Sequence, residues 1–94
     1  MRTININATE NVLKGKYKSK EKHLVLIDAT NGSISFELPD CGSVIDVEFY
    51  ITRVDTESGN TVTMTGYNSQ IDTQTFDCGD FMILLTDSIK WYKF

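Results

Sequence analysis

The sequence offers little with which to do chemistry. Its one histidine, His23, follows the Lys-rich run, whereas catalysis through histidine needs a partner placed within hydrogen-bond reach at a plausible site. It precedes a hydrophobic run, so it is expected at a strand end, touching solvent. The two cysteines, Cys41 and Cys78, are too few for a disulfide scaffold and form no CxxC pair. Each lies beside glycine in a turn-like context, with no basic neighbour to activate a thiolate, and both are expected as reduced thiols. Neither a P-loop nor a GxGxxG pattern occurs, and no EF-hand-like loop is present. The start, Met1 to Ile6, lacks the apolar stretch of a signal peptide. No apolar run approaches a membrane span; the longest, Phe81-Met82-Ile83-Leu84-Leu85, reads as a buried strand. No helical stripe is present either. No catalytic residue, metal ligand or cofactor is assigned, and the chain is not expected to be an enzyme.

What is present is period-2 alternation. The chain has 94 residues, 40% hydrophobic and 23% charged, which suits one globular domain. A domain of this size buries only roughly two-thirds of its unfolded surface, so partner chains have burial to add. Strands are expected over Thr3–Asn7, His23–Asp28, Ser33–Leu38, within Val44–Val54, over Thr61–Thr65, near Ile71–Phe76, over Phe81–Thr86 and over Ile89–Phe94. Asn31-Gly32 reads as a hairpin turn. Pro39-Asp40-Cys41-Gly42, Glu57-Ser58-Gly59-Asn60 and Asp77-Cys78-Gly79-Asp80 break the pattern elsewhere. Seven to nine short strands at this spacing predict an all-β fold, an antiparallel sandwich or a barrel-like module.

Net charge is −4, which argues against a nucleic-acid module. Yet Lys14, Lys16, Lys18, Lys20 and Lys22 alternate along one stretch with Glu21 as the only acid. If extended, that stretch is a positive stripe suited to an acidic partner or a polyanion, or simply a protected arm or edge. The pairs Asp46/Glu48 and Asp55/Glu57 have the spacing that puts two carboxylates on one strand face, and a solvated outer face is expected for both. Tyr50, Tyr67, Trp91, Tyr92 and Phe94 are candidates for a carbohydrate platform, though aromatics of short β domains more often fill a core or an interface.

From residue 24 onward the order of features resembles the β-structured modules of bacteriophage fibre proteins (head fibres, tail fibres and tailspikes). The resemblance rests on Leu26-Ile27-Asp28-Ala29-Thr30-Asn31-Gly32, then Ile34-Ser35-Phe36-Glu37-Leu38-Pro39-Asp40, then Phe49-Tyr50-Ile51-Thr52-Arg53-Val54-Asp55. Ser58-Gly59-Asn60-Thr61-Val62-Thr63-Met64, Ile83-Leu84-Leu85-Thr86-Asp87 and Lys90-Trp91-Tyr92 complete it. It covers roughly three-quarters of the chain and lies in the order of the motifs. Two glycines of the family pattern are missing, at Ile71-Asp72-Thr73 and at Asp87-Ser88-Ile89-Lys90-Trp91. The resemblance implies a homotrimer, a virion location and other virion proteins as partners, with a host-surface glycan or protein as a further partner and no catalytic residues. It implies a fibre module over residues 23–94, preceded by an N-terminal strand and Lys-rich arm over 1–22. The five lysines are then candidates for docking on the virion, and Ile71, Phe76, Ile83, Leu85 and Trp91 for the trimer interface. A head fibre or capsid decoration protein is the expected role, with the receptor- or carbohydrate-binding tip of a tail fibre or tailspike as the alternative.

Overall fold

The computed structural model describes residues 2–13, 20–44 and 46–94. Among them the alternating runs form strands β1 (Arg2–Asn7), β2 (Lys22–Asp28), β3 (Ile34–Glu37), β4 (Glu48–Arg53), β5 (Val62–Thr65), β6 (Gln74–Thr75), β7 (Phe81–Thr86) and β8 (Trp91–Lys93). Single 3-10 turns at Cys41–Ser43 and Tyr67–Ser69 are the helical pieces. The strands make a five-stranded sheet, ordered β1-β2-β4-β7-β8, and a three-stranded sheet, ordered β3-β5-β6. The protein is therefore all-β and two-layered.

The expected antiparallel pairing is corrected. β1 with β2, β2 with β4, and β3 with β5 are parallel; only β4 with β7, β5 with β6, and β7 with β8 are antiparallel. The Asn31-Gly32 turn does not close a hairpin, because β2 and β3 belong to different sheets. The chain instead passes from β2 to the opposite layer for β3, returns for β4 and crosses again for β5. This is a short coil in which Val25 stacks beside Ile51 and Ile34 beside Val62. The physical reason is burial. A crossing sets the inner residues of β2 (Val25, Ile27) against those of β3 (Ile34, Phe36) through the core, whereas a hairpin would lay them side by side on one sheet face. Parallel pairing of this kind needs a crossover between its strands, and here the second sheet supplies it.

Inward positions alternate as the period predicts. Ile6, Val25, Ile27, Phe36, Phe49, Ile51, Met64 and Leu84 are buried. Each such side chain contributes about 1.5–3 kcal/mol of transfer free energy. Phe49 sits between His23 and Trp91, with ring centroids 5.5 and 5.6 Å away. Gly66 is required by proximity: a Cβ there would lie 2.6 Å from Ile71 Cγ2 and 2.8 Å from the Ile71 nitrogen. β1 belongs to the same sheet as β2, and Ile6 is in the core. The boundary drawn between residues 22 and 23 thus falls within β2.

Candidate functional site

The most elaborate polar arrangement is a buried clasp where the coil turns from one sheet to the other. Arg53 ends β4 on the inward side, in the same alternation as Phe49 and Ile51, and is 3% exposed. Its Nε and Nη2 donate to Asp55 Oδ1 and Oδ2, each at 3.0 Å, in a two-pronged ion pair. Nη1 donates to the Phe76 backbone oxygen at 2.8 Å, and Nη2 also lies within hydrogen-bond distance of the Glu57 and Asn60 backbone oxygens, at 2.8 and 2.9 Å. Asp55 also accepts from the backbone nitrogens of Ala29 and Glu57, at 2.9 and 3.0 Å. Asn60 Nδ2 closes the ring onto the Ala29 oxygen at 2.6 Å. The Arg53 guanidinium, helped by these two backbone donors, holds the Asp55 carboxyl far below the usual carboxylate range. These bonds tie the end of β4 to the turns that follow β2 and precede β5.

The clasp corrects one expectation. Asp55 and Glu57 are not a solvated pair, because the Asp55 side chain is fully buried against Arg53. Of Asp46 and Glu48, Asp46 is exposed and precedes β4, while Glu48 meets Lys22 at 3.6 Å. The clasp was signalled in the sequence by Arg53 falling on the inward parity of β4, where only a paired cation can be buried.

His23 is corrected too. It is 0% exposed, shares the inward parity of Val25 and Ile27, and places Nε2 2.8 Å from Glu21 Oε1. Burial lowers its pKa below 6.5, against the opposing pull of Glu21. Cys41 is buried, with its thiol pKa raised by burial, and donates to the Ile89 oxygen at 3.1 Å; Cys78 is exposed, and the two are unbridged. Cys78 borders a cavity of about 360 Å³ shared with Arg53, Asn60 and Phe76, whose arginine is already committed to the clasp. A second groove, of about 530 Å³, follows β3 along Ser35 to Pro39 and Asn11 to Leu13. Among the described residues no group of three or more His, Cys, Asp or Glu is placed to hold a metal ion, and no helix is long and apolar enough to cross a membrane.

Of the lysines considered for docking, Lys14, Lys16 and Lys18 lie outside the described residues. Lys20 and Lys22 are exposed at the start of β2. The backbone of Lys20 is left-handed, at φ +63°, so an extended stripe does not run through it. Of the residues considered for the trimer interface, Phe76 and Trp91 are 2% and 5% exposed within their own chain. They therefore present almost no surface to a second copy. Trp91 is anchored by its Nε1 donating to the Pro39 oxygen at 3.3 Å, which also takes it out of any carbohydrate platform. Ile71 packs against the core from its edge. Ile83 and Leu85 are partly exposed on the outer face of the five-stranded sheet.

That outer face is the surface sequence reasoning described least well. The registers align Leu24, Tyr50 and Ile83 in one row, Leu26, Thr52 and Phe81 in a second, and Lys22, Glu48, Leu85 and Tyr92 in a third. Phe94 exchanges backbone hydrogen bonds with Ile83 at the end of the first row. The Tyr50 and Phe81 rings lie 6.5 Å apart. Phe81 is 57% and Phe94 72% exposed. No family model, curated protein or solved structure matches this chain.

Proposed function

We propose that this chain is a bacteriophage virion structural protein: a small trimeric head fibre or capsid decoration protein. The supporting observation is where the fibre-type motifs fall. Asp28-Ala29, Arg53, Asp55 and Ser58-Gly59-Asn60, which carry much of the resemblance, are the residues that build the buried clasp or its turns. In this chain those residues form a corner of a β-coil, a device for turning the chain between sheets. It belongs to architecture rather than to catalysis, as a virion component requires. The Lys-rich stretch ahead of β2 then serves as the contact to an acidic site on the particle, and two further copies add the burial that a chain this short lacks.

An antibody against the chain is expected to label purified phage particles from the strain that carries its gene. Particles that lack the chain while it accumulates free in the lysate would overturn the virion role. Substituting Lys14, Lys16 and Lys18 by Glu is expected to remove it from particles while the free protein stays folded; unchanged incorporation would overturn the docking role of the arm. Specific binding on a glycan array, lost in Phe94→Ala, would favour the receptor-binding tip instead.

A further inference from the structure

We propose that His23 is an acid-operated latch on β1: its neutral imidazole keeps this edge strand on the sheet, and its protonation lets β1 peel away from β2, starting at the Arg2 end. Such a motion is a property of the fold and is independent of the virion role.

The latch sits where three strands meet. β2 lies between β1 and β4, and the registers set His23 beside Arg2 on one side and Phe49 on the other. The imidazole is 0% exposed and 5.5 Å from the Phe49 ring, centroid to centroid, with Trp91 beyond it. A neutral imidazole suits such a place, whereas a buried cation is costly there unless it is well paired. Glu21 brings Oε1 to 2.8 Å from Nε2 and favours the charged form. Arg2, on the same sheet face by register, and the α-amino group oppose it. β4 contributes the uncharged Phe49 ring, and the Lys22–Glu48 pair lies on the other face of the sheet. Burial outweighs Glu21, so the imidazole takes a proton from solvent only below its ordinary 6.5.

When it does, β1 is the neighbour that can give way. β4 is held by β7 as well as β2, and it sends Phe49 and Ile51 into the core, both 0% exposed. β1 has β2 as its one sheet neighbour among the described residues. Of its residues, Ile6 is buried, Ile4 and Asn7 are half-buried, and Arg2, Thr3 and Asn5 are exposed. Its anchor is therefore at the far end, where the Asn7 backbone nitrogen also donates to the Glu10 oxygen at 2.9 Å. Charging His23 sets two cations side by side at the weakly held end of an edge strand. Segments with few buried contacts are the ones that open locally. Opening hands the sheet edge from β1, with Thr3 and Asn5 outward, to β2, with Leu24 and Leu26 outward. An apolar edge of that kind is a site for pairing with another strand.

The test is hydrogen exchange of β1 against that of β4 and β7 at about pH 7.5 and about pH 5, corrected for the intrinsic effect of pH on exchange. In the wild type, β1 is expected to lose protection at the lower pH, by about tenfold for each pH unit that the folded-state value lies below the ordinary one, while β4 and β7 keep theirs. His23→Gln, which cannot take up the proton, is expected to show no such loss. Arg2→Gln, at an exposed position, removes the cation beside the imidazole and is expected to show a smaller loss. Equal protection of β1 at both pH values overturns the inference, as does loss of protection in β4 and β7 in step with β1, or a loss that His23→Gln retains. Should His23→Gln fail to fold, an undiminished loss in Arg2→Gln overturns it instead.

Discussion

The two sheets share one core but have opposite exteriors. The outer face of the three-stranded sheet is Ser, Thr and Glu, the ordinary dress of a sheet turned to water. The outer face of the five-stranded sheet carries Leu24, Leu26, Tyr50, Ile83, Leu85 and Phe81 across its middle, bordered by polar Thr3, Asn5, Asn7, Lys22, Glu48 and Thr52. Both faces arise from the same coil, so folding alone does not require them to differ. Polar side chains such as Thr63 and Thr65 hold a strand in place as well as Leu24 and Leu26 do. The difference therefore lies in which residues occupy the outward alternate positions, polar throughout on one sheet and apolar across the middle of the other.

The clasp is the place to break this comparison outright, because it ties the end of β4 to the turns flanking the other sheet. Arg53→Met leaves the Asp55 carboxylate buried without its partner. It is expected to cost about 3–5 kcal/mol, measured by urea denaturation, and with it the order of both exteriors. Gly66→Ala forces a methyl group onto Ile71 beside the three-stranded sheet and is expected to cost about 1–3 kcal/mol. The same titration reads this out.

Acid probes the join between the sheets more gently. Asp55 titrates well below its ordinary 3.8, so its contribution is complete above that value and is lost as pH falls through the folded-state value. Arg53→Met is expected to flatten that acid limb of the stability profile. His23, lowered from 6.5 by burial, works in the same direction at higher pH. Its contribution is full above 6.5 and is lost as pH falls through the lower folded-state value. Since the chain has one histidine, a single imidazole proton signal in an NMR titration reports it, and a midpoint at or above 6.5 would contradict the burial.

Smaller effects sharpen the contrast between faces. Thr63→Glu is expected to change stability by less than about 0.5 kcal/mol. Leu26→Thr, its counterpart on the five-stranded sheet, shortens a half-buried apolar side chain and is expected to cost about 1 kcal/mol by the same urea titration. Least perturbing is thiol labelling: exposed Cys78 is expected to react at once and buried Cys41 only on unfolding.

Much of this was legible in the sequence, and the remainder was hidden for identifiable reasons. Ile34, Phe36 and Leu38 announce a strand with one buried face, and the Phe81–Thr86 strand was read at its full length. Which strand lies beside which was not legible. A period of two is the same for parallel and antiparallel neighbours, and Asn31-Gly32 turns the chain equally well within a sheet or across to another. Residue type alone puts His23 and Arg53 in solvent, whereas their parity puts them inside: each alternates in step with inward neighbours, Val25 and Ile27 for the one, Phe49 and Ile51 for the other. The ion pair itself was obscured because Asp55 lies just beyond the strand, where the chain bends back toward Arg53.

The reversal of direction at β7 has a consequence for the length of the molecule. Parallel turns of a coil present the same backbone edge after every circuit, so nothing in the coil itself tells it when to stop. β7 and β8, running against β4 and then against each other, end that repetition on one side, and β6 does the same for the smaller sheet. Each further circuit ahead of this terminus would lengthen the protein by one strand spacing, about 4.8 Å, at constant cross-section. Reach is in this sense a quantity the chain can add in fixed increments, by duplicating a circuit while keeping the same end.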